Sequence, residues 1–311
     1  MKAYTIFDDF TEEASAVLRN AGVELTIHPL GVPRPKSDQM KQIIKEYECV
    51  IIGTTQKITE DMFEEIDSPR IIATASVGLD HIRIPEEKKK LITILNTPKA
   101  NDQAVAEYTI GCALTCCKRL AEGQRLFKEG RDNKALSRKP VELHGKTLGV
   151  VGAGNISRKI MEFGQFFGMK VLCWTHNPDK HRDLEEKDIT FCTLEGLAEK
   201  ADVISVNLPN TTGTRGIISE EIVNKMKPEA VFISVSRLPT VDASSLIRRS
   251  RMYANFYTCL DVDVNDDLIR EADTLENVLI TPHIAGGTVE TRKRMFLELA
   301  EQIVSMGVLT E

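Results

Sequence analysis

The sequence predicts an α/β fold with parallel sheets in two domains, and three observations carry that reading. Short apolar runs rich in β-branched residues alternate with helical stretches along most of the chain, as strands do when helices cover both faces of their sheet. The alternation occurs twice, once up to Leu95 and again from Thr147. The length of 311 residues, at about 150 residues per domain, also suits two domains.

In chain order, the first series places strands at Tyr4–Phe7, Val23–His28, Cys49–Gly53, Arg70–Ala75 and Leu91–Leu95. Helices are expected between them at Glu12–Asn20, Asp38–Tyr47, Glu60–Ile66 and Glu86–Lys90. After Pro98, a natural break, Asp102–Lys118 has the apolar content and length of a buried helix. Gln124–Pro140 is polar and rich in turn residues, without a clear period. The second series runs through strands at Thr147–Val151, Lys170–Trp174, Ile189–Cys192, Val203–Asn207, Val231–Val235, Thr258–Asp261 and Val278–Ile280. Its helices are expected at Ile156–Phe167, Leu194–Lys200, Ser219–Met226 and Ala243–Ser250.

Composition narrows the function classes. Hydrophobic residues at 42% and charged residues at 28% are ordinary for a globular protein and argue against disorder or fibre. A net charge of −6 without a concentrated basic face argues against a general nucleic-acid binder. No apolar run approaches the ~20 residues that cross a bilayer. The N-terminus carries Asp8 and Asp9 instead of a signal peptide's basic start and apolar middle, so a cytoplasmic location is expected. Seven cysteines are scattered, with Cys112, Cys116 and Cys117 close together, but no CxxC pair is present. They read as buried thiols, and no metal site is expected.

Leu148–Ser157 reads LGVVGAGNIS, a buried strand turning through Gly152 and Gly154 into a helix that opens at Asn155 and Ile156. Small residues let a phosphate approach the backbone there, and a helix N-terminus offers unpaired N–H groups with positive dipole potential. The pattern is GxGxxG with Ser157 in the third position, in the strand–turn–helix setting that dinucleotide binding requires. The next strand ends at Trp174, where an NAD site usually places a carboxylate for the ribose hydroxyls. Thr175 and His176 stand there instead, which removes the charge that would repel a 2′-phosphate. NAD(H) and NADP(H) both remain open.

Three later strands end in groups that suit chemistry on a 2-keto acid. Val231–Val235 leads to Arg237, Thr258–Leu260 leads to the carboxylates Asp261, Asp263, Asp266 and Asp267, and Val278–Ile280 leads to His283. Arginine can fork onto a planar carboxylate and its adjacent carbonyl. Histidine can move a proton near neutral pH, and a carboxylate can orient the imidazole.

With these pieces in place, the chain resembles the D-isomer-specific 2-hydroxyacid dehydrogenases over nearly its whole length. The resemblance rests on SVGLDHI (Ser76–Ile82), NTPKANDQAVAEYT (Asn96–Thr109), HGKTLGVVGAGNI (His144–Ile156), NLPNTTGTRGIIS (Asn207–Ser219), FISVSR (Phe232–Arg237) and TPHIAGGT (Thr281–Thr288), in that order. It implies a flavodoxin-like substrate domain, residues 1–99 plus 283–311, into which a C-terminal helix over Val289–Met306 returns, interrupted by a Rossmann domain with a doubly wound parallel sheet over 100–282, with the active site in the cleft. It also implies a homodimer through the nucleotide domain.

By motif position, Arg237 would bind the substrate carboxylate and His283 would act as acid/base. Ser76, Val77 and Gly78 would offer backbone N–H groups to the substrate, and Asn101 would lie at the cleft. Asp261 would meet the nicotinamide carboxamide, with Pro209, Thr214, Val235 and Gly286 also lining the cofactor. The family carries a glutamate before proline five residues after the position of Asp261. Here Asp266 stands there, followed by Asp267, so Asp266 is the expected partner of His283, with Asp263 and Asp267 as alternatives. Leu238 and Pro239 replace glycines usual after the arginine. Thr74 stands where phosphoglycerate-type members carry an arginine, which favours a small unphosphorylated substrate.

The function expected is hydride transfer between NAD(P) and C2 of a small 2-keto or D-2-hydroxy acid. A different class, a dinucleotide-sensing regulatory protein with impaired chemistry, is the alternative motivated by Asp266, Ser157 and Leu238-Pro239. A dinucleotide enzyme outside this family would need other chemistry at Arg237 and His283.

Overall fold

A computed structural model describes residues 1–264, 270, 272 and 275–307. The chain divides into two compact units, one made of Met1–Asn101 with Thr288–Glu311 and the other of Asp102–Gly287. Asp266 and Asp267 lie outside the described residues.

The first unit contains β1 (Lys2–Thr5), α1 (Glu12–Asn20), β2 (Glu24–Ile27), α2 (Ser37–Glu46), β3 (Cys49–Ile52), β4 (Arg70–Thr74) and β5 (Ile92–Asn96). Its strands lie in the order β2-β1-β3-β4-β5, all parallel, which is the flavodoxin-like arrangement. β3, reading CVII, is buried at every position, as a central strand covered on both faces must be. α1 starts where the Thr11 hydroxyl accepts from the Ala14 N–H, satisfying one of the donors a helix start leaves open. The helices expected at Glu60–Ile66 and Glu86–Lys90 are shorter 3₁₀ turns at Glu60–Phe63 and Glu86–Lys88. Each is about one turn long, which does not offset the cost of nucleating an α-helix.

The C-terminal helix Val289–Gly307 completes this unit. Its Phe296, Leu299 and Ile303 are fully buried in the same core as Ile51 and Phe63, each large apolar side chain contributing roughly 1.5–3 kcal/mol by burial. Arg294 and Gln302 donate to the carbonyls of Ala100 and Asn96 at 2.9 and 3.1 Å. Apolar packing and these two bonds return the end of the chain to the sheet on which it began.

The second unit contains α3 (Asp102–Cys117), α4 (Leu120–Lys128), β6 (Thr147–Val151), α5 (Asn155–Phe166), β7 (Lys170–Trp174), β8 (Ile189–Phe191), α6 (Leu194–Lys200), β9 (Val203–Val206), α7 (Glu220–Lys225), β10 (Val231–Ser234), α8 (Ala243–Met252), β11 (Tyr257–Asp261) and β12 (Val278–Thr281). The described strands lie in the order β12-β11-β10-β9-β6-β7-β8, all parallel. The order reverses between β6 and β9, the switch point at which doubly wound sheets bind ligands beyond the strands' carboxyl ends.

α4 departs from the turn-rich reading of Gln124–Pro140. Only Leu126 on it is buried, while Leu120 and Phe127 are exposed, so its apolar residues trace no core stripe. Local pairs such as Arg125–Glu129, four residues apart at 2.7 Å, support the helix instead. It begins after Arg119, whose left-handed backbone (φ 58) ends α3.

All seven cysteines are free thiols, and all but Cys192 are buried. Burial pushes Cys49 and Cys173 up to about 12, so these thiols stay protonated and weakly reactive. No helix among the described residues is long and apolar enough to cross a membrane.

Candidate active site

The glycine turn joins β6 to α5. Gly152 has φ +111, and a Cβ added there would lie 2.9 Å from the Asn207 carbonyl oxygen. Only glycine suits a backbone so placed. Gly154 caps α5 without any side-chain hydrogen bond, and a Cβ on it would meet nothing within 4 Å. The first helical bond from this cap is Arg158 N–H to the Gly154 carbonyl at 3.0 Å. The amides of Asn155, Ile156 and Ser157 therefore begin the helix unbonded within it, facing a cap without a side chain. Beside the turn, the Asn207 Nδ2 atom is buried and has no hydrogen-bond partner among the described residues, and three residues further along the chain the Asn210 Oδ1 atom is likewise buried without one.

Open space, free amides and orphaned amide groups together fit a dinucleotide pyrophosphate and its neighbouring polar groups. Asn207 was not among the site residues expected from sequence. The clue available was a polar residue immediately after the wholly buried strand β9.

Gly152→Ala gives a direct check. An L side chain at φ +111 costs about 1–3 kcal/mol in backbone strain, and the 2.9 Å approach to a carbonyl forces the turn to shift. The variant is expected to lower dinucleotide affinity at least tenfold and the melting temperature by several degrees. Calorimetric titration and a thermal melt measure both.

Other expected cofactor residues vary in what the fold asks of them. Thr175 is half-buried and His176 exposed, with the His176 ring edge-on to Trp174 at 4.7 Å between centroids. Thr214 is buried, and its hydroxyl donates to the Pro209 carbonyl at 2.5 Å and accepts from Thr211 N–H at 2.9 Å, closing its own loop. Val235 continues β10 by donating to the Val206 carbonyl at 3.3 Å, and Gly286 is half-buried.

Arg237, Asp263 and His283 come from the ends of β10, β11 and β12. Ser236 accepts from Leu208 N–H at 2.7 Å and donates to the Val206 carbonyl at 3.1 Å, tying the ends of β9 and β10 just before the arginine. Leu238–Thr240, with Pro239 inside it, forms a 3₁₀ turn, and the Thr240 hydroxyl donates to the Arg237 carbonyl at 2.8 Å. The side chain of Arg237 is thus presented from a braced backbone. Its Nη1 donates toward His283, lying 2.9 Å from Nε2 and 3.2 Å from Nδ1.

Asp263 Oδ1 lies 3.1 Å from His283 Nδ1. The aspartate is largely exposed, at 83%, so the pair adds little stability; its consequence is orientation. With a proton on Nδ1 pointing at Asp263, Nε2 becomes the nitrogen that faces Arg237. Among the described residues, the carboxylate that meets the imidazole is therefore Asp263.

His283 itself has φ 54, in the left-handed region that few side chains adopt and that is enriched in Asn, Asp and His. Its N–H donates to the Thr281 carbonyl at 2.9 Å. The following amides, of Ile284 and Ala285, donate to Asp261 Oδ1 and Oδ2 at 2.8 and 2.9 Å. Asp261 is buried and also accepts from the Thr281 hydroxyl at 2.6 Å. The oxygens expected to meet the nicotinamide thus hold the histidine loop.

In the first unit, Thr74 is buried, and its hydroxyl lies 2.9 Å from both Ser76 Oγ and His81 Nε2. Ser76 N–H donates to the Thr74 carbonyl at 2.8 Å and its hydroxyl to the Gly78 carbonyl at 2.8 Å. Asn96 Nδ2 holds the Val77 carbonyl at 2.9 Å. The Ser76 amide, expected to face substrate, is instead used within the loop. Asn101 has a buried Oδ1 without a hydrogen-bond partner among the described residues.

The family described as "D-isomer specific 2-hydroxyacid dehydrogenase, NAD binding domain" matches residues 110–285. A hydroxypyruvate reductase of Thermotoga maritima is 33% identical over 302 residues, covering 95% of each chain. A glyoxylate reductase of Thermofilum pendens is 30% identical, covering 88% of this chain and 82% of its own. Among solved structures, a D-lactate dehydrogenase from Aquifex aeolicus complexed with NAD and lactic acid superposes with a TM-score of 0.79. It is 29% identical, covering 99% of this chain and 96% of its own.

Proposed function

The chain belongs to the D-isomer-specific 2-hydroxyacid dehydrogenases, and from that premise we propose that it reduces a small, unphosphorylated 2-keto acid with a nicotinamide dinucleotide. The observation that carries this reading is the convergence of Arg237, His283 and Asp263 at adjoining strand ends, with Nη1 of the arginine 2.9 Å from Nε2 of the histidine. Two cationic donors this close repel when the imidazole is protonated, and a substrate carboxylate with its 2-carbonyl satisfies both.

The amides of Asn155, Ile156 and Ser157 hold the pyrophosphate of the dinucleotide, beside Asn207. When bound, the reduced nicotinamide supplies the hydride that adds to substrate C2. Arg237 holds the carboxylate, and its charge draws electron density toward the carbonyl oxygen. His283 donates the Nε2 proton to the oxygen as it becomes an alcohol, while Asp263 stabilises the proton left on Nδ1. In the reverse direction, Nε2 takes the proton from the 2-hydroxyl. Thr74 standing in place of a cation supports a substrate without phosphate, and Thr175 in place of a carboxylate admits either NADH or NADPH.

The test is a set of initial rates with NADH and NADPH on glyoxylate, hydroxypyruvate and pyruvate, with 3-phosphohydroxypyruvate as the phosphorylated comparison. Turnover of at least one of the three small acids is expected, at a kcat/KM above that for the phosphorylated compound. Binding of either dinucleotide with no turnover on the panel would overturn the reading and leave a dinucleotide sensor.

A further inference from the structure

We propose that Tyr108, Thr281 and Asp261 form a positioning relay that fixes the backbone on which His283 is carried. The inference rests on His283 being the acid/base group. The three side chains come from α3, the end of β12 and the end of β11. Tyr108 Oη lies 2.5 Å from Thr281 Oγ1, and Thr281 Oγ1 lies 2.6 Å from Asp261 Oδ1.

Proton bookkeeping gives the chain a direction. A threonine hydroxyl has one proton, and a carboxylate only accepts. The Thr281 proton therefore points at Asp261, and the bond between the two hydroxyls must be donated by Tyr108. Burial pushes the Tyr108 hydroxyl above its ordinary range, which keeps the proton that this role requires.

At the far end, Asp261 gathers the N–H groups of Ile284 and Ala285, the two residues that follow the histidine. With His283 N–H held by the Thr281 carbonyl, successive amides on both sides of the φ 54 residue are tied to the same strand ends. A left-handed non-glycine backbone persists where its surroundings over-determine it. This set of bonds does so and directs the imidazole at Arg237 and Asp263. Asp261 and Thr281 are thereby positioning residues for His283, and Tyr108, 173 positions earlier than Thr281, is the outermost support.

The experiment compares Thr281→Val, which keeps shape and removes both bonds, with Tyr108→Phe and Thr281→Ser. It measures kcat, KM for the best keto acid, the pH dependence of kcat/KM, and NADH affinity by quenching of Trp174, the single tryptophan. Thr281→Val is expected to lower kcat roughly ten- to thirtyfold through a misplaced imidazole and to displace the pH limb that His283 sets. Tyr108→Phe is expected to lower kcat roughly three- to fivefold, as for loss of one buried hydrogen bond. NADH affinity should stay within about twofold in both, and Thr281→Ser should restore both kcat and the pH profile.

Wild-type kcat and pH profile in Thr281→Val and Tyr108→Phe would overturn the relay, as would losses confined to NADH affinity. Should Thr281→Val fail to fold, Tyr108→Phe decides alone. His283→Asn is run in parallel. Lost turnover there with intact Thr281→Val removes only the relay, whereas full turnover in His283→Asn removes the acid–base assignment and the relay with it.

Discussion

His283→Asn is expected to lower kcat by roughly a hundred- to ten-thousandfold, the range over which a positioned acid–base group contributes. Asparagine is the informative replacement because the residue sits at φ 54, a region that asparagine tolerates better than most side chains. The turn, the amides donated to Asp261 and the approach of Arg237 should therefore survive. What is lost is a group able to give and take a proton near neutral pH. NADH affinity should change less than about threefold, since the amides of the glycine turn belong to another part of the unit. The pH dependence of kcat/KM should lose the limb set by the imidazole. Steady-state kinetics across pH, with a binding titration, measure all three, and a kcat within tenfold of wild type would remove His283 from proton transfer.

The parts of this site that could be read from sequence are those whose chemistry and position coincide in a short segment. FISVSR runs out of the buried strand β10 and TPHIAGGT opens on the last residue of the half-buried strand β12, so strand-end placement and residue type together pointed to Arg237 and His283. The glycine turn was legible for the same reason, with strand, turn and helix contiguous. Partners brought together by pairing of distant strands were not. Whether Asp263, Asp266 or Asp267 faces the imidazole depends on how the chain leaves β11, which no local pattern encodes, although Asp263 was one of the alternatives.

Tyr108 lay further from view. It stands on α3, a helix whose mean hydropathy and many buried residues signal only core, and its hydroxyl acquires a partner 173 residues later. Most strands and helices were legible because burial on both faces leaves unbroken apolar runs. α4 was missed because it is short and carries Gly123, which costs helix propensity, and because its Leu120 and Phe127 face solvent instead of a core.

Arg237→Lys should raise KM for the keto acid by roughly ten- to a hundredfold, the loss of one charge-assisted, forked interaction of about 1.5–3 kcal/mol. Lysine keeps the positive charge, so long-range attraction of the anion persists and the planar pair of donors is what disappears. The comparison is clean because the backbone on either side is held independently, by the Ser236 hydroxyl bridging the ends of β9 and β10 and by the Thr240 hydroxyl on the Arg237 carbonyl. A loss through a moved loop would reach the neighbouring dinucleotide turn as well, so NADH affinity serves as the control and should stay within about twofold. The methyl ester of the same keto acid separates the carboxylate from everything else. Without the anionic fork to bind, the ester should be handled by wild type and Arg237→Lys within about threefold of each other. An equal penalty on acid and ester would mean that the arginine acts on the 2-carbonyl or through His283, 2.9 Å away, instead of through the substrate carboxylate.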